Sequence, residues 1–197
     1  MIFIYGDSHA RFSFKGFAKE HVNKSEISIT MHRIGRDNII VNCDPKKHNA
    51  NSIIILVYGE VDCRCHIQRQ INTGREEDDV IKELVNKYFN TIKNTLLVYK
   101  KIIVLAIIPP TEQNEYESIH GPIKHDFPFV GTDEDRSRFT TKMNTLMKQK
   151  CTEYAYTYIN PYTKYTRDNG CLKYEYSDRS VHLLQNDDFL EEVYSIL

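Results

Sequence analysis

Two stretches of this chain are apolar without interruption: Ile53-Ile-Ile-Leu-Val-Tyr58 and Ile102-Ile-Val-Leu-Ala-Ile-Ile108. A shorter one, Ile2-Phe-Ile-Tyr5, lies next to the N-terminal Met. A strand with one wet face alternates apolar and polar residues, whereas a strand covered on both faces does not need to. Each run stops at a turn former: Gly6, Gly59 or Pro109-Pro110. The runs are therefore expected to be central strands of a sheet sandwiched between helices. None approaches the roughly 20 residues that a membrane helix needs, so no membrane partner is expected.

The segments between the runs have helical spacing. From Arg75 to Lys100, apolar residues recur at steps of three and four (Val80, Ile81, Leu84, Val85, Tyr88, Phe89, Ile92, Leu96). Acidic residues 76–79 open this segment, and Lys100 and Lys101 close it, the polarity a helix dipole favours. Thr132 is placed to cap a second helix with Asp133, Glu134 and Asp135 in its first turn. A helix or irregular turn is expected from Ser8 to about Lys19, and a closing helix from Asp187 to Leu197. Short strands are expected at Ile27–Ile29, Ile39–Val41 and Tyr156–Ile159, a turn at Asp168-Asn169-Gly170, and a long loop over 111–132. Strands alternating with helices indicate one three-layer α/β/α domain over 1–197, with a mostly parallel, flavodoxin-like sheet of about five strands.

The chain has 197 residues and a net charge of −1. Dedicated nucleic-acid binders show a basic excess, so none is expected as a partner. The five cysteines are an odd number in a chain too large to need disulfides, which points to a reducing compartment. With an N-terminal apolar run too short for a signal peptide, this makes the cytoplasm the expected location. Ile, Lys, Asn and Tyr fill a third of the chain, a bias that fits a viral or other AT-rich genome.

In a doubly wound sheet, ligands bind beyond the carboxyl ends of the strands. That rule selects Gly6-Asp7-Ser8-His9, then Gly59-Glu60-Val61-Asp62-Cys63-Arg64-Cys65-His66, then Pro109-Pro110-Thr111, and near the C-terminus Ser177-Asp178-Arg179-Ser180-Val181-His182. The ordered set resembles the SGNH/GDSL hydrolase superfamily: Gly-Asp-Ser after an N-terminal strand, a Gly-x-x-Asp block in the middle, and an Asp and a His close together late in the chain. The middle block is similar to a branch often associated with glycan biosynthesis.

The resemblance implies Ser8 as nucleophile, His182 as its base and Asp178 as the group that orients His182. It implies oxyanion donors at the backbone N–H of Ser8 and of Gly35, plus one side chain. It also implies an acyl-ester substrate, a small molecule or an O-acetylated glycan, and no cofactor. Asp7, His9, Glu60, Asp62 and His66 are the expected substrate contacts. Two positions depart from the family pattern. Val61 stands where the family has the Asn that donates to the oxyanion, which leaves Arg64 or His66 as the replacement. Asp178 lies four residues before His182, where the common spacing is three. The departure at Val61 motivates a second reading, a glycan-binding or scaffold protein that keeps the fold without catalysis. A third is an acyltransferase using the same Ser-His pair. Cys63, Cys65 and His66 lack the spacing of a structural zinc site.

Overall fold

The computed structural model describes residues 1–96, 101–124 and 126–197. Five strands, β1 (Ile2–Gly6), β2 (His21–Asn23), β3 (Ile53–Val57), β4 (Lys101–Leu105) and β5 (Thr157–Ile159), form one sheet in the order β2-β1-β3-β4-β5. Every pairing is parallel, with Ile4 opposite Ile55 and Ile55 opposite Ile103. Side chains alternate between the two faces of a strand. Phe3, Tyr5, Ile54, Leu56, Ile102 and Val104 join one core cluster, and Ile2, Ile4, Ile55, Val57, Ile103 and Leu105 join another. Both faces are covered, which is why the central strands β1, β3 and β4 are apolar at nearly every position.

The first cluster packs against α2 (Met31–Asp37), α4 (Glu77–Thr95) and α6 (Asp133–Glu153), through residues such as Ile34, Tyr88, Phe89 and Met143. The second packs against α1 (Ser8–Ser13) and α7 (Asp187–Tyr194), through Ala10, Phe189 and Val193. Between β3 and α4 lie a π-turn at Asp62–His66 and the short α3 (Ile67–Ile71). The expected cap of α6 forms as a capping box: Thr132 Oγ1 accepts from the Asp135 N–H at 3.1 Å, and Asp135 Oδ2 accepts from the Thr132 N–H at 2.9 Å. No described helix is long and apolar enough to cross a membrane.

Several elements differ from the sequence expectation. Ile27–Ile29 and Ile39–Val41 are not strands. Ile29 and Ile40 are buried pegs on either side of α2, while Ile27 and Ile39 are exposed. The second strand is His21–Asn23, a three-residue edge strand with no apolar signature. The segment 111–132 contains α5 (Gln113–His120). Lys101 begins β4 instead of closing α4, and the expected helical residues 97–100 lie outside the described residues.

The order 2-1-3-4-5 puts the switch point between β1 and β3, because the chain leaves β1 toward β2 and returns on the other side as β3. The segments beginning at Asp7 and at Gly59 therefore face each other across one crevice. Gly6 lets them approach: a Cβ there would lie 2.6 Å from the Val57 carbonyl oxygen and 2.3 Å from Ala10 Cβ.

Candidate active site

Ser8 is the first residue of α1, directly after the capping residue Asp7, whose Oδ1 accepts from the His9 N–H at 2.9 Å. His182 comes from the loop before α7, 174 positions along the chain. Its Nε2 lies 2.9 Å from Ser8 Oγ and its Nδ1 lies 2.8 Å from Asp178 Oδ2. A carboxylate only accepts, so the proton sits on Nδ1 and Nε2 is free to take the proton of Ser8. Asp178 Oδ1 also accepts from the N–H groups of Ser180 and His182. Burial opposes its charge, but the hydrogen bond from His182 and these backbone groups outweigh that and hold its pKa below the ordinary value. The extra residue in the Asp178–His182 spacing is absorbed by Arg179, whose φ of 64° lies in the left-handed region. Phe12 stacks on His182 at 4.3 Å between ring centroids.

Ser8 and His182 open into a cleft of about 470 Å³. Its walls are largely apolar, from Phe12, Ile27, Val61, Ile123, Phe127 and Val181, with Ser28, Arg64, Tyr116 and Asp126 as polar members. Sequence reasoning missed most of these, because apolar cleft residues have no motif.

The residues expected around Ser8 divide sharply. Arg64 lines the cleft. Gly35 does not; it sits inside α2 against α4, where a Cβ would lie 2.7 Å from Lys87 Cβ. Its absent side chain serves helix packing. The β2–α2 connection instead sends Ser28, at φ 63°, to the cleft. Asp62 was expected to touch substrate, but it is fully buried and braces α2, accepting from the N–H groups of Met31 at 2.7 Å and His32 at 3.1 Å. Burial still pushes its pKa up to about 7. His66 turns away from the cleft and stacks on His32 at 3.9 Å between ring centroids. It lines a separate hollow with Glu83 and Lys87, and burial lowers its pKa to about 4. The expected substrate contacts Asp7 and His9 are 1% and 2% exposed, and Asp7 is held by burial well above the ordinary carboxylate pKa.

His9 and Glu60 lie beneath the Ser8–His182 pair. His9 Nε2 donates to Glu60 Oε2 at 3.1 Å, and Arg64 Nη2 is 3.4 Å from the same oxygen. Burial opposes the Glu60 carboxylate, but Arg64, and after it the His9 hydrogen bond, bring its pKa down to about 2. Glu60 is thus an ionised group, and burial keeps His9 neutral by lowering its pKa. The backbone of Arg64 is fixed as well, its carbonyl accepting from the Val130 N–H at 3.0 Å. Cys63 and Cys65 are buried free thiols, and burial raises the Cys65 pKa to about 11. His120 donates to the Arg179 carbonyl at 2.6 Å, which ties α5 to the turn that carries Asp178. His125 lies outside the described residues.

No protein-family model matches the sequence, and no curated protein matches it either. Solved structures do match. A GDSL-like lipase from Bacteroides thetaiotaomicron is 12% identical with a TM-score of 0.56, covering 98% of this chain and 83% of its own. An aryl esterase from M. smegmatis is 15% identical with a TM-score of 0.53, covering 100% and 99%. An extracellular lipase from Streptomyces rimosus is 9% identical with a TM-score of 0.55, covering 100% and 99%. At such identities the likeness speaks for the architecture alone: the chain shares the three-layer α/β fold of these lipases and esterases.

Proposed function

We propose that the protein is a serine hydrolase of carboxylic esters that works through an acyl-enzyme on Ser8. The observation that carries this reading is the hydrogen-bonded chain Ser8–His182–Asp178 at the lip of a cleft, with links of 2.9 and 2.8 Å. His182 takes the Ser8 proton as Oγ attacks the ester carbonyl, and Asp178 stabilises the resulting imidazolium. The same proton then goes to the leaving alcohol, and water repeats the sequence to release the acid. The oxyanion is met by the Ser8 N–H, by the chain around Ser28, and by Arg64. Arg64 enters the cleft beside Val61, the position that lacks a donor. An O-acetylated carbohydrate is the substrate class that the middle block's similarity suggests, its acetyl group lying against the apolar wall.

The test is hydrolysis of p-nitrophenyl acetate and of acetylated sugars by wild type and Ser8→Ala. Ser8-dependent turnover supports the reading, and equal residual rates in the two proteins overturn it. The same assay with a sugar acceptor present separates hydrolysis from acyl transfer. A binding module would retain acetylated sugars in both proteins without turnover.

A further inference from the structure

An arginine at an oxyanion site raises an electrostatic problem. The base His182 must become a cation during the reaction, and a nearby guanidinium disfavours that cation. Arg64 and His182 line the same cleft. In this protein a carboxylate stands beneath both. Glu60 Oε2 is 3.4 Å from Arg64 Nη2 and 3.1 Å from His9 Nε2, and the His9 ring is 4.7 Å from the His182 ring. Glu60 and Arg64 are both more than nine-tenths buried, so solvent screens them little. Arg64 Nε has no hydrogen-bond partner among the described residues, which leaves Glu60 as its ion-pair partner there.

We propose that Glu60 is the shared counter-ion of this site: it neutralises Arg64, and through the neutral spacer His9 it keeps Arg64 from suppressing the imidazolium of His182. The proposal rests on the reading of Arg64 as an oxyanion donor, and it gives Glu60 and His9 positioning roles with no contact to substrate. It also accounts for a histidine directly after the nucleophile. His9 fills the space between Glu60 and His182 with a group that can donate to Glu60 while staying uncharged.

The other ionisable groups around Glu60 come from every neighbouring segment. Asp7 precedes α1, Asp62 and Arg64 follow β3, and Asp178 pairs with His182. The carboxyls of Asp7 and Asp62 are the two that feel Glu60 as a like charge. Burial raises the pKa of each, whereas that of Glu60 is brought down to about 2 and that of Asp178 is held below its ordinary value.

The test is an NMR titration of the His182 ring in the full chain, with the signal assigned by loss in His182→Gln. Glu60→Gln should lower the ring's midpoint by about one pH unit, and Arg64→Met should raise it by a comparable amount, the size expected of a charge at such range. The double variant should return to within a few tenths of wild type. Arg64→Lys keeps the charge and should leave the midpoint in place, and circular dichroism checks that each variant folds. An unmoved midpoint in folded Glu60→Gln, or a shift that persists in the double variant, overturns the proposal. The acid limb of kcat/KM should move with the ring. The titration needs no turnover. Expected shifts without Ser8-dependent hydrolysis would defeat the hydrolase reading alone, and hydrolysis with an unmoved ring would defeat the counter-ion alone.

Discussion

Asp178 and His182 are bonded at 2.8 Å although they stand four residues apart, and the residue between them that makes this geometry is Arg179, at φ 64°. A non-glycine residue there carries a backbone cost of about 1 kcal/mol. Arg179→Gly removes that cost and should keep kcat/KM within about three-fold of wild type. Arg179→Pro fixes φ near −65°, which this turn does not accept. It also removes the N–H that donates to Ser177 Oγ. Its kcat/KM should fall about 100-fold or more, read by ester hydrolysis beside a thermal melt.

Asp178→Asn tests the tautomer argument. An amide NH₂ placed at the position of Asp178 Oδ2 would donate to His182 Nδ1 and drive the proton to Nε2, where it faces Ser8 Oγ. In other Ser-His-Asp sites this change costs about 10⁴-fold in kcat, and about 10³- to 10⁴-fold is expected here. KM should change little, because Asp178 does not line the cleft. A loss below ten-fold would mean that a Ser8–His182 dyad suffices.

The sheet was legible because its central strands are apolar at each position, and only a doubly covered strand needs that. Ser8 follows the end of β1, where the topology opens the crevice, whereas Asp178 and His182 follow no strand end but lie in the loop before α7, so only the family resemblance pointed to them. The edge strand was not legible, because His21-Val-Asn23 pairs on one side only and is partly buried throughout. Reading Ile27-Ser-Ile29 as a strand mistook a tertiary peg for a period-two pattern; Ile29 is buried and Ile27 stands at the cleft. Helix α2 was hidden for a similar reason: its N-terminus is held by Asp62, which lies 30 residues away in the chain. Glu60, Asp62 and His66 follow the right strand, but a helical turn sends neighbouring side chains in different directions. Strand-end position therefore pointed to the segments of Ser8 and Arg64 without separating cleft residues from braces.

The sequence resembles the SGNH/GDSL pattern with Val61 in the place of an Asn, and this makes a paired test of Arg64. If Arg64 is the side-chain donor, Arg64→Met should lower kcat by about 100-fold, the effect of removing one oxyanion donor. Val61→Asn in that background should recover part of the loss, since it restores a donor in the cleft wall. Val61→Asn alone should change kcat by less than about three-fold, because the oxyanion already has its partner. A large gain in Val61→Asn alone would indicate that wild type works without a third donor. Steady-state kinetics on one ester substrate reads all three.

His66 predicts a pH dependence of stability that is separate from activity. Its pKa is about 4 in the folded protein against an ordinary value of 6.5, first because of burial and then because of the neighbouring His32. Between those values the unfolded chain binds the proton more readily, so stability is fully present above pH 6.5 and falls as pH drops toward 4. His66→Phe keeps a ring against His32 and removes the titration. The drop in Tm from pH 7 to pH 5 should become shallower by about 3 °C. That is roughly what 1 kcal/mol is worth in a chain of this size, after discounting for the partly exposed ring. Because His66 lies outside the Ser8 cleft, kcat/KM at pH 7 should stay within about two-fold. Thermal melts at the two pH values decide the matter: parallel slopes for wild type and His66→Phe would show that another group carries the acid sensitivity.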